Sequence, residues 1–339
     1  MNQLSDLLIA LRELGNAYWA FSALSVALEV GLLEELVVPR HVTSVAKRVR
    51  LPIGQTRGIL EVLLALGLSL RQGNRWQAAP ALLPLLAPPA LTFWRAEMRT
   101  VGRQARKFLE DAERGYRAPT ARSWADAELI QAQGLVSAVA TDFLIATAIR
   151  QATGLLECLR RPGALFLDAG AGACGAAITL GRRFPGLSIT ALEPDLTARR
   201  LARRNLKSAG LQRRVKLFKW RAESLNLRNV FDVAYLAQAF FPEASLRLAL
   251  RTVRAALRPG GYLITSTLNA HLDGLAAAVA WLRSELWGGG PRPPADVAHR
   301  LMRAGYVEVT VLAGQAEVSA IVGRRAVSRT AGSRPGFAG

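Results

Sequence analysis

Leu165-Phe-Leu-Asp-Ala-Gly-Ala-Gly-Ala-Cys-Gly175 is the stretch from which the fold of this 339-residue chain can be predicted. A short apolar run ends on Asp168, and three glycines follow it with the spacing G-x-G-x-x-G. Residues 176–184 then have a helical pattern, so the order is strand, glycine turn, helix. Glycines let a backbone approach a ligand closely, and a helix N-terminus faces it with free N–H groups. The spacing occurs in many nucleotide-type sites, and the preceding acid together with Glu193 makes it more specific.

Downstream of this stretch the sequence alternates between strand and helix patterns, which predicts a parallel sheet. After the opening strand, the predicted strands are 187–192, 215–219, 231–236, 262–266, 306–312 and 317–323. The last two follow each other with no helix between them, and such a pair requires an antiparallel last strand. We therefore predict a Rossmann-like α/β domain with a seven-stranded sheet whose last strand is antiparallel.

The N-terminal part of the chain has a mainly helical pattern. Residues 4–37 predict helices, and two shorter helices follow before a hairpin over 68–78 with a Gly-Asn turn. Helix, helix, hairpin is a winged-helix layout, which binds DNA in many proteins. The second helix, however, has only Arg57 and Glu61 as charges among many leucines, and a groove-reading helix needs polar side chains. A packing role for this helix is favoured.

The charge of the chain is strongly basic. The 44 basic residues against 25 acidic ones give a net charge of +19, and 39 of the bases are arginines, leaving 5 lysines. Such an excess attracts nucleic acid, an anionic membrane or an acidic small molecule. Because the bases occur in short clusters and form no long run, a solvated surface is the favoured interpretation.

Composition excludes several classes of protein. Cys158 and Cys174 are too few for a disulfide framework, and with three histidines and no metal-binding spacing we predict no metal site. The N-terminus lacks the positive start of a secretory signal. The apolar run 17–33 carries Glu29 and is too short for a membrane span. We predict a cytoplasmic protein that does not enter a membrane.

Four features together resemble the class I S-adenosylmethionine-dependent methyltransferases. They are the Asp168-x-Gly-x-Gly motif, Glu193, the turn Arg258-Pro-Gly-Gly261 and the closing strand pair. A dinucleotide dehydrogenase also has glycines and an acid after its second strand, but it does not need the acid before the first glycine, and its sheet does not usually close with an antiparallel pair. The resemblance covers about residues 160–325.

The N-terminal layout resembles the dimerisation domain of small-molecule O-methyltransferases of the plant and actinobacterial type. The resemblance implies a winged-helix-like dimerisation and substrate-lid domain over 1–160 and a methyltransferase domain over 161–325. Residues 326–339 are expected to be a disordered tail. The resemblance also implies a homodimer that forms through the N-terminal domain. It further implies a small-molecule substrate and disfavours nucleic acid as a partner.

The resemblance further implies S-adenosyl-L-methionine as the cofactor and a set of residues that bind it. Asp168 is expected near the methionyl amino group, the backbone of the glycine loop against the cofactor, and Glu193 on the ribose hydroxyls. Ala222 or Glu223 is expected at the adenine, where the family commonly has Gly-Asp-Ala. The whole set is Asp168, Ala169, Gly170, Ala171, Gly172, Glu193, Ala222, Glu223 and Gln238; the last lies in the segment 237–242, which is expected to border the sulfonium.

The catalytic side of the site departs from the family. A hydroxyl acceptor usually needs a base, and the family often has a histidine in a His-Asp-Trp segment after the fourth strand. This chain has Ala239-Phe-Phe there, and His271 is the one histidine near the expected active face. His271 is therefore the candidate base. The alternatives are a loop histidine with no catalytic role, an acceptor acidic enough to need no base, and transfer to carbon or nitrogen. Aromatic residues that suit a flat acceptor are Trp94, Phe240, Phe241 and Trp281.

The function predicted from these patterns is methyl transfer to a small, aromatic or polyketide-like secondary metabolite, at a hydroxyl oxygen. Two alternatives stay open. The basic charge suggests an RNA or DNA methyltransferase, although the Asn/Asp-Pro-Pro-Tyr/Phe segment of many base-methylating enzymes is missing. The N-terminal layout also allows a winged-helix protein that binds S-adenosylmethionine without methylating anything.

Overall fold

A computed structural model describes residues 3–115, 126–268, 274–312 and 318–327 of the chain. It forms two compact units, Met1–Ala105 and Arg106–Gly339. The predicted domain boundary after residue 160 differs from this division, because helices that precede the sheet in sequence pack onto it. The candidate base His271 and the tail residues 328–339 lie outside the described residues.

The first unit contains helices and a small three-stranded sheet. Its elements are α1 (Gln3–Glu29), α2 (Leu32–Glu35), β1 (Arg40–His41), α3 (Val42–Val49), α4 (Ile53–Ala65), β2 (Ser69–Gln72), β3 (Arg75–Ala78) and α5 (Ala90–Glu113), which continues into the second unit. The predicted hairpin is confirmed as β2 and β3, which pair from Ser69 with Ala78 to Gln72 with Arg75. The short strand β1 was not predicted, and it pairs with β3.

The core of the first unit consists of leucines and valines from α2, α3 and α4, closed by one aromatic residue. Leu33, Val45 and Leu60 are buried, and the ring of Trp76 on β3 packs against this cluster. The leucine-rich face of α4 therefore points into the core, which agrees with the packing role predicted for it. By contrast, residues 4–19 of α1 are exposed.

The second unit is the predicted α/β domain with two helices before it. Its elements are α6 (Ala127–Gln151), α7 (Leu155–Arg160), β4 (Leu165–Ala169), α8 (Gly175–Arg183), β5 (Ser188–Leu192), α9 (Leu196–Ser208), β6 (Val215–Phe218), β7 (Phe231–Leu236), α10 (Glu243–Ala256), β8 (Leu257–Leu268), α11 (Gly274–Leu286), α12 (Pro294–Arg303), β9 (Tyr306–Leu312) and β10 (Val318–Arg325). Alternate residues of β4 enter different cores: Phe166 lies in one cluster and Leu167 in the other.

The sheet has seven strands in the order β6-β5-β4-β7-β8-β10-β9. Strands β4 to β8 pair in parallel, and β10 lies between β8 and β9 and is antiparallel to both. The predicted seven-stranded sheet with an antiparallel last strand is therefore confirmed. From β4 the chain proceeds to β5 and β6 on one side of the sheet, whereas from β7 it proceeds to β8 on the other side. The strand order therefore reverses between β4 and β7, and the carboxyl ends of β4, β5 and β7 form a crevice for a ligand.

One local prediction was wrong. The segment Arg258-Pro-Gly-Gly261 was expected to be a turn before the fifth strand, but β8 runs from Leu257 to Leu268 and includes it. Gly260 has a φ of 82°, and the pairing of β7 with β8 shifts register at this end. The segment is thus an irregularity at the start of the strand, which the glycines make possible.

Of the helices that the structure describes, one is long and apolar enough, by length and composition, to cross a membrane: α6, Ala127–Gln151. This helix also contacts α8 and α9 of the sheet unit. Core helices of globular proteins can have the same composition.

Candidate active site

The glycine loop leaves β4 in a conformation that needs glycine at two positions. Gly170 and Gly172 have φ angles of 88° and 53°, in the left-handed region. The backbone N–H groups of Gly170 and Ala171 donate to the carbonyl oxygen of Leu192 at 3.0 and 2.9 Å. The loop is therefore tied to the end of β5 and held open toward the crevice. Cys174, at φ 63°, adopts the same unusual backbone conformation without being a glycine.

The third glycine of the motif has a different role from the first two. A Cβ on Gly175 would lie 1.9 Å from the carbonyl oxygen of Gly134, and one on Gly134 would lie 2.7 Å from the Cβ of Ala173. The backbones of α6 and α8 therefore touch at a glycine pair. Asn205 on α9 adds to this contact, because its amide donates to the carbonyl oxygen of Ala173 at 3.1 Å and to the side chain of Gln131 on α6 at 3.0 Å.

A cavity of about 390 Å³ lies at the carboxyl ends of β4, β5 and β7. Pockets of this size accommodate small molecules and cofactors. Leu129, Ile130, Gln133, Gly134 and Ser137 of α6 form one wall of it. Sequence reasoning missed α6 as part of the site; the signal was a glycine at position 134 in an otherwise apolar helix.

Asp168 is the most unusual residue of the cavity. Its side chain is 1% exposed, and neither carboxylate oxygen has a hydrogen-bonding partner among the described residues. Burial, and after it the negative charge of Glu193, raises the pKa of Asp168 to about 7, although the Ala177 backbone N–H acts in the opposite direction. A buried acceptor without a partner is costly, and it indicates a missing donor.

Glu193 follows β5 and is held by two backbone donors. Its Oε2 accepts from the N–H of Gly172 and its Oε1 from the N–H of Asp195, both at 2.8 Å. Burial raises the pKa of Glu193, and these two hydrogen bonds counteract the rise. Each carboxylate oxygen can accept more than one hydrogen bond, so the carboxylate retains acceptor capacity toward the cavity that it lines.

The segment after β6 forms another part of the cavity wall. Ala222 and Glu223 begin a short helical turn, and both line the cavity. Thr252 of α10 fixes this turn, because its hydroxyl donates to the carbonyl oxygen of Ala222 at 2.6 Å. Arg221 donates to Glu223 Oε1 at 3.2 Å. The carboxylate of Glu223 therefore lies at the cavity in place of the aspartate that the family commonly has there.

The opposite wall of the cavity is aromatic. Phe240, Phe241 and Trp287 line it, and we refer to these three residues as the aromatic wall. The rings of Phe240 and Trp287 have centroids 5.7 Å apart. Trp287, which sequence reasoning missed, follows the last turn of α11. Of the other aromatics predicted for an acceptor, Trp281 is 60% exposed and not part of the lining, and Trp94 belongs to the first unit.

A buried arginine fixes the loop that carries the aromatic wall. Arg292 is 6% exposed, and its guanidinium donates to the carbonyl oxygens of Gln238 at 3.0 Å and Phe241 at 2.8 Å. The same group donates to Gln238 Oε1 at 3.1 Å and lies 3.4 Å from Glu243 Oε2. The hydroxyl of Thr267 donates to the Arg292 carbonyl at 2.5 Å. The loop after β7 is thus held by a planar group with several donors.

Two of the predicted cofactor residues do not line the cavity. Ala169 is fully buried at the end of β4, and Gln238 is buried with its amide between Arg292 and the carbonyl oxygen of Ser266, to which it donates at 2.9 Å. Both ends of the Gln238 side-chain amide are therefore hydrogen-bonded within the protein. The cavity does bring together the other seven: Asp168, Gly170, Ala171, Gly172, Glu193, Ala222 and Glu223.

Two further features of the site concern ionisable groups. Tyr235 lines the cavity beside Asp168 on the adjacent strand, its hydroxyl is 3.3 Å from Ser266 Oγ, and burial raises the pKa of Tyr235. Within the described ranges, no three histidine, cysteine, aspartate or glutamate side chains are grouped as a metal site would require.

Comparison with known proteins agrees with this geometry. The family profile described as a methyltransferase domain matches residues 166–261. Among curated protein sequences, none matches the chain. Solved structures match over almost the whole length, including an O-methyltransferase family protein from Burkholderia thailandensis, with 18% identity, 97% of this chain and 99% of that chain covered, and a TM-score of 0.71.

Two other solved structures have the same architecture. Human N-acetylserotonin methyltransferase, determined in complex with S-adenosylmethionine, is 18% identical over 96% of this chain and 99% of that chain, with a TM-score of 0.71. The mitomycin 7-O-methyltransferase is 19% identical over 95% of this chain and 98% of that chain, with a TM-score of 0.64. The chain therefore has the fold of the class I S-adenosylmethionine-dependent methyltransferases. The methyltransferase-domain profile matches residues 166–261 of this fold.

Proposed function

We propose that the protein binds S-adenosyl-L-methionine in the cavity and transfers its methyl group to a small molecule, at a hydroxyl oxygen of an aromatic or polyketide-like metabolite. The observation that carries the proposal is Asp168, a buried carboxylate without a described partner at the end of β4. The cofactor has an ammonium group at its methionyl end. An ammonium group is a positively charged hydrogen-bond donor, which is the kind of partner that the Asp168 carboxylate lacks.

The rest of the cofactor side of the cavity fits the same ligand. Gly170 and Gly172 keep the loop free of side chains, so that the backbone can approach the cofactor. Glu193 would accept hydrogen bonds from the ribose hydroxyls, as carboxylates do in other nucleotide sites. Glu223 would accept from the adenine amino group. Asp168, Glu193 and Glu223 thus match three polar groups spaced along one extended ligand.

The chemistry follows from the two sides of the cavity. When bound, the cofactor supplies an electrophilic methyl group on a sulfonium. The chain's own contribution is positioning, which is the main requirement of an in-line displacement. The aromatic wall would hold a flat acceptor by stacking, at the ring separations that aromatic pairs prefer. Arg292 would keep that wall in place through its hydrogen bonds to Gln238 and Phe241.

We also propose His271 as the base that removes the acceptor proton, since no residue of the aromatic wall can do so. General bases contribute about 10²–10⁴-fold to a rate. We expect His271→Gln to lower kcat by that order. Unchanged turnover in the variant would dismiss this role and leave an acceptor that is already ionised when it binds.

The first experiment is calorimetry with S-adenosylhomocysteine, which needs no knowledge of the acceptor. Wild type should bind the compound, and Gly170→Val should not, because a Cβ at this left-handed position would lie 3.3 Å from the ring of Phe241. As a matched control, Gly186→Val changes a glycine that has open space around it and lies outside the cavity lining. Absence of binding in wild type would refute the proposed function.

We further propose a homodimer formed through α1. Its first turns expose large apolar side chains, among them Leu8, Leu11 and Trp19, with 56%, 55% and 75% of their surface accessible. Exposed apolar surface of this extent is typical of a protein–protein interface. A cytoplasmic location completes the proposal.

The dimer is tested by light scattering. We expect the double variant Leu8→Glu/Leu11→Glu to elute as a monomer, because two charges in an apolar interface are unpaired when it forms. The control Gln55→Glu/Gln212→Glu adds the same charge at exposed positions elsewhere. A wild type that is already monomeric at micromolar concentration would contradict the proposed dimer.

A further inference from the structure

One segment of the methyltransferase unit has a charge distribution unlike the rest of the chain. Residues 196–221 contain ten basic residues and no acidic one. They form α9 and the edge strand β6, together with the turn between them. The segment thus includes the edge strand of the sheet and the helix that precedes it. Neither the fold nor the proposed methyl transfer accounts for the charge of the segment.

The four bases on the outer side of α9 form a ridge. Ala198, Leu201, Ala202 and Leu206 are buried, so the opposite face of the helix points to solvent. Arg200, Arg203, Arg204 and Lys207 are exposed there, and we call these four the basic ridge. Their spacing of three and four residues places them along one side of the helix, over about 10 Å at 1.5 Å per residue.

The basic ridge has no partner among the described residues, whereas several arginines elsewhere in the chain are paired with a carboxylate. Arg183 binds Asp142 at 2.5 Å, Arg258 binds Asp232 at 2.8 Å, and Arg300 binds Glu243 at 3.1 Å. Among the described residues, none forms a hydrogen bond or an ion pair with a member of the ridge. Like charges three and four residues apart on a helix repel one another. The ridge therefore carries a repulsion that a negatively charged partner would relieve.

Other bases of the segment have a local explanation. Arg199 and Arg214 donate to backbone carbonyl oxygens, and Arg221 pairs with Glu223. Lys216 and Lys219 belong to β6 or follow it directly, and lysines on an edge strand prevent it from pairing with other chains. Arg213, in the turn before β6, is exposed and has no partner in the described part of the chain, but it stands alone. The basic ridge is therefore the group of neighbouring bases that needs a partner from outside.

The shape of the surface favours a protein partner over nucleic acid. Single-stranded nucleic acids bind in grooves that have aromatic side chains for the bases to stack on. The ridge is the convex side of a helix, and its four members are arginines and a lysine, so the ridge itself offers no ring on which a base could stack. Three of the four members are arginines, whose planar guanidinium can form two parallel hydrogen bonds with a carboxylate, as it can with a phosphate.

We propose that the basic ridge docks an acidic protein, which binds through carboxylates arranged along a helix or a strand. The partner contacts the outer side of α9. The other side of that helix begins at the cavity, since Asp195 and Ala198 line it. Docking of this kind is independent of the identity of the cofactor and of the acceptor.

The test compares the binding of fluorescently labelled poly-L-glutamate to wild type and to two charge-matched variants. The ridge variant is Arg200→Gln/Arg203→Gln/Arg204→Gln/Lys207→Gln. The control removes the same charge at four exposed helical positions elsewhere: Arg57→Gln/Arg182→Gln/Arg247→Gln/Arg303→Gln. Glutamine keeps the helices, because its helix propensity is close to that of arginine and lysine. Thermal melts verify that both variants are folded.

We expect wild type to bind poly-L-glutamate with an affinity that falls between about 50 mM and about 200 mM salt. The ridge variant should bind about tenfold more weakly, which is the sum of four exposed ion pairs. The control should stay within about twofold of wild type. A labelled oligo-dT of the same number of charges and vesicles of phosphatidylcholine with phosphatidylglycerol are measured in parallel.

Three outcomes would overturn the proposal. Equal weakening in the two variants would mean that only net charge matters. Tighter binding of oligo-dT or of the anionic vesicles than of poly-L-glutamate, lost in the ridge variant, would assign the ridge to nucleic acid or to a membrane. No measurable binding of poly-L-glutamate by folded wild type would mean that the ridge is a solvated surface.

Discussion

On the cofactor side of the cavity, Asp168, Glu193 and Glu223 present carboxylates, whereas the opposite side presents the rings of the aromatic wall. The first side is made by residues that lie at the carboxyl end of a strand or within five positions after it. The second is made by a loop that a distant arginine, Arg292, holds by hydrogen bonds. The two sides therefore depend on different parts of the chain, and variants should affect them separately.

The largest expected effect is on the cofactor side, at Asp168. Asp168→Asn removes the charge that would pair with the cofactor's ammonium group, and loss of one partner of a buried charge pair costs about 2–5 kcal/mol. We expect at least a thirtyfold loss of affinity for S-adenosylhomocysteine (about 2 kcal/mol) in calorimetry. Asp142→Asn, at an exposed aspartate that pairs with Arg183, is the control and should bind as wild type does.

The same residue makes binding and stability depend on pH in opposite directions. The pKa of Asp168 is raised from 3.8 to about 7 in the folded, ligand-free protein. Between these values the folded chain holds a proton that the unfolded chain releases, so the free energy of unfolding falls as the pH rises through this window. The affinity for S-adenosylhomocysteine should instead rise toward pH 8, since the ionised carboxylate binds an ammonium group. Asp168→Asn should abolish both trends, and trends that persist in it would assign them to another group.

A smaller loss is expected at Glu193. Glu193→Ala leaves the N–H groups of Gly172 and Asp195 without their acceptor and removes the proposed contact with the ribose. We expect the affinity for S-adenosylhomocysteine to fall by about 1–3 kcal/mol. Glu157→Ala, at an exposed glutamate on α7, is the matched control. An unchanged affinity in Glu193→Ala would show that the ribose does not bind at the end of β5.

On the aromatic side, Arg292 should affect stability more than cofactor binding. Arg292→Met leaves the carbonyl oxygens of Gln238 and Phe241 without their donor, and we expect the free energy of unfolding to fall by about 1–3 kcal/mol. The affinity for S-adenosylhomocysteine should change by less than about twofold (0.4 kcal/mol). Arg292→Lys should recover part of the stability, because an ammonium group cannot reach all the acceptors at once. A large loss of cofactor affinity would show that the two sides are coupled.

The smallest effect is expected at Gln238. Gln238→Leu removes the hydrogen bonds to Arg292 and to the carbonyl oxygen of Ser266, and should lower the free energy of unfolding by about 0.5–1.5 kcal/mol. Denaturant unfolding measures this difference. Affinity for S-adenosylhomocysteine should be that of wild type, and a marked loss would restore Gln238 to the cofactor-binding residues.

The difference between the two sides also explains how much of the site could be predicted from the sequence. Asp168, the glycine loop and Glu193 lie at or just after the ends of strands that the alternating pattern identifies, and the direction of a parallel sheet brings those ends together. The seven-stranded sheet was predicted for the same reason. Ala169, the last residue of β4, is buried and its side chain does not line the cavity, and the predicted approach of its backbone to the cofactor stays a prediction.

The aromatic wall could not be predicted in this way. Trp287 reaches the cavity from 46 positions beyond Phe241 in the sequence, and no local pattern connects them. Gln238 was assigned to the cofactor because of its position after β7. In the structure, the buried guanidinium of Arg292 donates a hydrogen bond to its side-chain oxygen. A polar residue that the sequence pattern assigns to a ligand can thus be hydrogen-bonded to a distant part of the chain instead.

The glycine contact between α6 and α8 has a consequence for excising the domain. The family profile begins at residue 166, yet five residues of α6 line the cavity, and the carbonyl oxygen of Gly134 occupies the space of a Gly175 side chain. A fragment cut at the profile's limit would lose one wall of the cavity and expose the apolar side of α8. The smallest piece that retains the pocket must therefore start before Ala127.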